Sequence, residues 1–146
     1  MNKIKIHIQH DSMLCGVTCL KIVCDFWGKD YPIASLYRTC SVTNEGVSML
    51  NISITARSLG FNTDCVRISL YKLAYSSLPC ILHWNQNHFV VLYKVKKGKT
   101  FYIADPGKGL VKYNLEEFKK HWVSTQSGGE EKGIAMFLEP TPAFYE

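Results

Sequence analysis

No apolar run in the chain approaches the ~20 residues that a membrane-crossing helix needs. The N-terminus alternates polar and apolar from Met1 to Ile6 and lacks the continuous apolar stretch of a secretory signal. These absences point to a soluble, cytosolic domain. The six cysteines, at 15, 19, 24, 40, 65 and 80, include no Cys-x-x-Cys pair, so nothing is spaced as a zinc knuckle. Without a secretory signal, free thiols are expected rather than a disulfide framework. A complete Gly-x-x-x-x-Gly-Lys-Ser/Thr phosphate loop is missing too. Pro106-Gly107-Lys108-Gly109 carries too little of it to bind ATP. There is no internal repeat, no low-complexity tract and no nucleic-acid-binding signature. The lysines between Lys94 and Lys99 read as a solvated hairpin turn. No metal, cofactor or nucleic-acid partner is expected.

The 146 residues are 47% hydrophobic and 20% charged, with a formal net charge of +5, which suits one globular domain with a single core. Residues 3–9 alternate like a short edge strand or an extended arm. Residues 14–27 carry apolar side chains at helical spacing (Cys15, Cys19, Ile22, Val23, Phe26, Trp27), closed by Gly28. Pro32 opens a second helix with Ile33, Leu36 and Tyr37 inward. A third helix is predicted over 47–58, with Met49 or Leu50, Ile52, Ile54, Ala56 and Leu59 inward and Gly60 ending it. The period then changes. Strands are predicted at 61–68, 79–84, 88–95, 100–104, 110–113 and 134–138. A short helix capped by Ser69 and another over 115–122 interrupt them. Gly128-Gly129 reads as a flexible loop before the last strand rather than as a self-cleavage site. Helices first and antiparallel hairpins later indicate an α+β domain over residues 1–139. Residues 140–146, with two prolines in quick succession, read as the start of a linker.

Four residues carry a chemical pattern. Cys15 begins a helix, where the dipole favours a thiolate. Gln9, six positions earlier, has an amide that could donate to an oxyanion. His88 opens a strand after a polar Asn85-Gln86-Asn87 loop, a position suited to a general base and acid. Asp105 ends the partner strand, where a carboxylate would orient that imidazole. Each has a plainer reading alone: a buried thiol, a surface glutamine, a satisfied histidine, a turn aspartate before Pro-Gly.

In this order they resemble the papain-like peptidase domain of bacteriocin-processing ABC transporters, which removes double-glycine leaders. The similar stretches are Gln9 with Cys15-Gly16-Val17-Thr18-Cys19-Leu20, Gly46-Val47-Ser48, Leu59-Gly60-Phe61, His88-Phe89-Val90-Val91-Leu92, Ile103-Ala104-Asp105-Pro106 with Gly109, and Phe118 with Trp122. The resemblance spans nearly the whole chain. It implies a papain-like fold and a cysteine endopeptidase with Cys15, His88 and Asp105 as triad and Gln9 in the oxyanion hole. It further implies cleavage after a Gly-Gly type site of a bacteriocin-like precursor, and transmembrane and ATPase domains of an ABC transporter as partners. The site would then lie at the cytoplasmic side of the membrane, and the leader would bind as an amphipathic helix. One departure stands out: Leu14 occupies a position that is usually acidic in the family. Two alternatives remain open, a non-catalytic peptidase-like domain that binds a leader or secreted substrate, and an acyl transferase using the same triad.

Overall fold

The structure is a computed structural model that describes residues 2–9, 11–40 and 46–146. A helical N-terminal part lies against a seven-stranded antiparallel sheet. Helix α1 (Cys15–Phe26) comes first, then α2 (Ile33–Thr39) and α3 (Met49–Ser58). Strand β1 (Phe61–Ser69) leads into a one-turn helix α4 (Leu70–Ala74). Strands β2 (Cys80–Trp84), β3 (His88–Lys96), β4 (Thr100–Asp105) and β5 (Gly109–Asn114) follow as a meander. Helix α5 (Leu115–Trp122), β6 (Thr125–Ser127) and β7 (Glu130–Pro140) complete the order. The last long strand inserts between β1 and β2, giving the sheet order β1-β7-β2-β3-β4-β5, with β6 paired to β7.

Both faces of the central strands are covered, which explains their unbroken apolar runs. Side chains alternate across a strand, and two cores form accordingly. Ile81, Phe89, Val91, Ala104 and Met136 pack with α1, α2 and α3. Cys80, Leu82, Val90, Leu92, Ile103 and Ala135 pack on the opposite side with Phe118 and Trp122 of α5. Helix α1 is apolar nearly all round because it is enclosed. Lys21 apart, every residue from Cys15 to Cys24 is buried. Lys21 escapes by sending its ammonium to Asp30 (2.6 Å) and to the Tyr31 carbonyl (2.7 Å). No helix among the described residues is long and apolar enough to cross a membrane.

Of the two readings of residues 3–9, edge strand or arm, the structure takes the arm, which pairs with no strand among the described residues. Ile4 and Ile6 pack on the helical core, and His7 pairs with Asp25 of α1. Tyr37 and Ile54 point outward against expectation, and of Met49 and Leu50 it is Met49 that packs on the core. Helix α3 buries Ile52, Ser53, Thr55 and Ala56. Ile54 stands about 200° around the helix from Ile52 and cannot share its face. The Gly128-Gly129 segment is a tight two-residue turn, not a flexible loop. Ser127 pairs with Glu130, and the glycines hold φ 60 and φ 80, the left-handed pair of a hairpin turn.

The proline-rich tail also differs from expectation, because an aromatic anchor overrides its lack of regular structure. A 3-10 turn (Pro142–Tyr145) places Phe144 in the core against Phe61, ring centroids 4.5 Å apart. The Thr141 backbone N–H and hydroxyl both donate to the Gly60 carbonyl, at 2.9 and 2.6 Å. A Cβ on Gly60 would fall 2.3 Å from the Phe144 backbone nitrogen, and its φ of +107 suits glycine alone. Phe144→Ala is expected to lower stability by about 3–5 kcal/mol. Denaturant melts should show it as a fall in midpoint, while a fully solvated tail would give no change.

Candidate active site

The chain enters α1 through a 3-10 turn (Ser12–Leu14) capped by Asp11. The Asp11 carboxylate accepts from the Met13 N–H (3.0 Å), and its carbonyl accepts from the Leu14 N–H (3.0 Å). Leu14 is the residue preceding α1 and contributes no side-chain cap, so Asp11 upstream takes that role. Cys15 is the first residue of α1 and is buried. Gly16 lets this first turn settle deeply. A Cβ there would lie 2.5 Å from Val47 Cγ1, 2.7 Å from Ile52 Cδ1 and 3.2 Å from Phe89 Cδ2.

His88 begins β3 and Asp105 ends β4. The hairpin register, with Val91 opposite Ala104, brings these two strand ends together. His88 Nε2 and Asp105 Oδ1 are 2.7 Å apart. The Gly107 N–H donates to the same oxygen at 2.8 Å, and Asp105 is 2% exposed. The Cys15 sulfur stands close enough to His88 to raise the affinity of its ring for a proton. With Nε2 committed to Asp105, Nδ1 is the ring nitrogen left for the sulfur. Gln9 reaches the same place from the arm. Its backbone N–H donates to the Pro106 carbonyl (2.8 Å), beside Asp105. Its Oε1 accepts from the Asp11 N–H (3.1 Å), and its NH2 has no partner among the described residues. Cys15, His88 and Asp105 therefore gather from three separate elements, and the Gln9 backbone lies beside them at Pro106.

Burial disfavours a charged ring at His88, but the bond its ring donates to Asp105 and the nearby Cys15 sulfur outweigh it and push the imidazole up to about 9. Burial works against Asp105 as well, and the His88 and Gly107 hydrogen bonds overcome it, holding the carboxyl below its usual range. Burial pushes the neighbouring Cys19 thiol well up, and Cys24 up to about 12. Such an arrangement holds a protonated imidazole beside a sulfur at neutral pH. Asp11 and Gly107 were not singled out in the sequence. Asp-Ser ahead of an apolar helical run was the available signal for Asp11, whereas Gly107 carried none beyond a turn. A hollow of about 800 Å³ lined by Trp27, Tyr75, Leu78 and Phe137 among others includes none of the four residues.

The His88–Asp105 pair makes stability depend on pH in a definite sense. His88 is raised from 6.5 to about 9, so its contribution is complete below 6.5 and is lost as pH climbs through about 9. Asp105 is depressed from 3.8, so its contribution is present above that value and lost as acid drives pH through the lower folded value. In Asp105→Asn the His88 ring should titrate closer to 6.5 by NMR, and the alkaline loss of stability should flatten. An unchanged His88 titration would break the assignment.

The profile of the Peptidase C39 family matches residues 3–126. A double glycine motif protease from an AMS/PCAT transporter, solved in complex with the leader peptide, superposes with TM-score 0.83 at 35% identity, covering 96% of this chain and 94% of that one. The peptidase domain of Streptococcus ComA, a bi-functional ABC transporter involved in quorum sensing, gives TM-score 0.79 at 25% identity, covering 95% and 100%. A probable microcin-H47 secretion/processing ATP-binding protein of Escherichia coli is 31% identical over 136 residues, 93% of this chain and 18% of that protein. The lactococcin-G-processing and transport ATP-binding protein of Lactococcus lactis subsp. lactis is 30% identical over 142 residues, 93% and 19%. The chain thus spans about a fifth of the length of these two relatives. The α+β fold expected from the sequence is the fold of these peptidase domains. With its profile match running from residue 3 to residue 126, this chain belongs to the Peptidase C39 family of cysteine peptidases.

Proposed function

We propose that this domain cleaves a leader peptide after a Gly-Gly type site of a bacteriocin-like precursor, on the cytoplasmic side of a membrane, in company with the transmembrane and ATPase domains of an ABC transporter. The reading is carried by one observation: a histidine held at 2.7 Å by a buried aspartate, with the sulfur of the first residue of a helix close by. Family membership and the likeness to a double glycine motif protease support it. Residues 140–146 would lead toward the transporter, leaving from the docked Phe144.

The roles follow from position. His88 already holds, as imidazolium, the proton that Cys15 has given up, and the sulfur attacks the carbonyl carbon of the second glycine. The carbonyl oxygen becomes an oxyanion, for which the Gln9 NH2 and the Cys15 backbone N–H are the donors. As the C–N bond breaks, His88 gives its proton to the leaving nitrogen. Water then attacks the thioester. His88 accepts a proton from it, and the freed acid leaves while the thiol is regenerated. Asp105 keeps the ring oriented and its charged form favoured throughout. A Gly-Gly pair suits a narrow passage, because no β-carbon stands in the way.

Incubation of the domain with double-glycine precursor peptides should yield, by mass spectrometry, a product ending in the second glycine. Cys15→Ala and His88→Ala should abolish it and leave the circular dichroism spectrum unchanged. Full cleavage by Cys15→Ala would sink the mechanism. Loss of the His88 proton through about 9 removes the acid for the leaving amine, so kcat/KM should fall on that alkaline side. The exposed Cys65 is the natural internal control for thiol reactivity, since burial raises its pKa too. Iodoacetamide at neutral pH should label Cys15 before Cys65. The reverse order would favour a binding domain without peptidase activity.

A further inference from the structure

The turn that delivers His88 is held by a residue from a distant helix. Strands β2 and β3 are joined by Asn85, Gln86 and Asn87, and Trp84 pairs with His88 across the mouth of this turn. Asn85 and Gln86 adopt φ 51 and φ 69. That left-handed region favours glycine and tolerates asparagine, but Gln86 is neither. The local sequence therefore fixes this turn only in part, and a contact from outside it holds the rest.

The C-terminal end of α5 does so. The Asn85 backbone N–H donates to the His121 carbonyl at 2.9 Å, satisfying one of the carbonyls left over at a helix end. The His121 Nδ1–H donates to Asn85 Oδ1 at 2.8 Å. The His121 ring stacks on Trp84, centroids 5.0 Å apart and planes at 11°, and leans on Tyr113 at 5.2 Å. Trp84 is itself 1% exposed. A continuous set of contacts thus runs from α5 through His121 to Asn85 and Trp84, and on to His88 and Asp105.

We propose that Asn85 and His121 form a latch that positions His88 for the reaction with Cys15. Neither residue touches the reacting atoms, so both are positioning residues. The latch sets where β3 begins and hence whether the imidazole meets the Asp105 oxygen and the sulfur at once. The inference rests on the proposed peptidase function for its catalytic readout, but not for its geometric one.

Asn85→Gly makes the decisive test. Glycine accepts φ 51 without strain, and the backbone bond to His121 survives, so only the side-chain half of the latch is lost. The unfolding midpoint should hold or rise. The kcat for precursor cleavage should fall about tenfold with KM little changed, as a misplaced imidazole predicts. The His88 ring, followed by NMR, should titrate below the wild-type value of about 9 as its bond to Asp105 loosens. His121→Ala should behave likewise, and His121→Gln, which keeps a donor, should recover part of the rate. Wild-type kcat and His88 titration in Asn85→Gly would overturn the latch. If the wild-type chain cleaves no precursor, the peptidase reading fails by itself. The His88 titration then still decides the latch: a lowered value supports it and an unchanged one refutes it.

Discussion

Helix α1 is enclosed by protein from its first residue, and that enclosure sets the rest of the architecture. A surface helix can slide or rotate by a few degrees at small cost, whereas α1 has Val17, Cys19, Leu20, Ile22, Val23 and Cys24 fully shielded from water. Any displacement opens voids in a close-packed interior. The missing side chain at Gly16 brings the first turn hard against α3 and β3, so the sulfur of Cys15 inherits the rigidity of the core. The Asp11 cap upstream serves the same end, because it keeps this start from fraying.

The two halves of the site come to each other by different means. Cys15 is placed by packing, His88 and Asp105 by strand register. A register shift of one residue would turn both polar side chains to the other face, so the Val91–Ala104 pairing is as much a part of the site as the residues themselves. Desolvation raises the five remaining thiols, and Cys19 feels the charge of Asp105 as well.

Much of this was legible in the sequence for clear reasons. Unbroken apolar runs such as 89–92 announce a strand covered on both faces. A helix flanked by Gly28 announces its own end. The order of Gln9, Cys15, His88 and Asp105 marks the proposed site because Cys15, His88 and Asp105 each sit at the boundary of an element. What was not legible depends on long-range packing. Whether Ile54 or Ser53 faces inward is decided by β1 across from it, and a ten-residue helix with apolar residues on several faces does not reveal which wins. The docking of Phe144 depends on the space above Gly60, which no local pattern encodes. Polar residues at 130–132 conceal the first part of β7, since they pair there with the exposed β6 and the end of β1. The Asn85–His121 contact joins residues thirty-six positions apart and leaves no periodic trace.

The hairpin between β6 and β7 bears on how such a domain coexists with its own chemistry. It displays a Gly-Gly pair in the open, and a Cβ on either glycine would meet nothing within 4 Å. A protease that recognised composition alone would be its own substrate there. Peptide bonds are usually taken by proteases in extended form, and this pair is wound the opposite way, pinned by paired strands on both sides. Unwinding it would break the Ser127–Glu130 pairing and the strand edge behind it. On the proposed reading, folding withholds this pair: the same dipeptide is inert when wound and a target when slack, and shape, not sequence, would separate self from substrate.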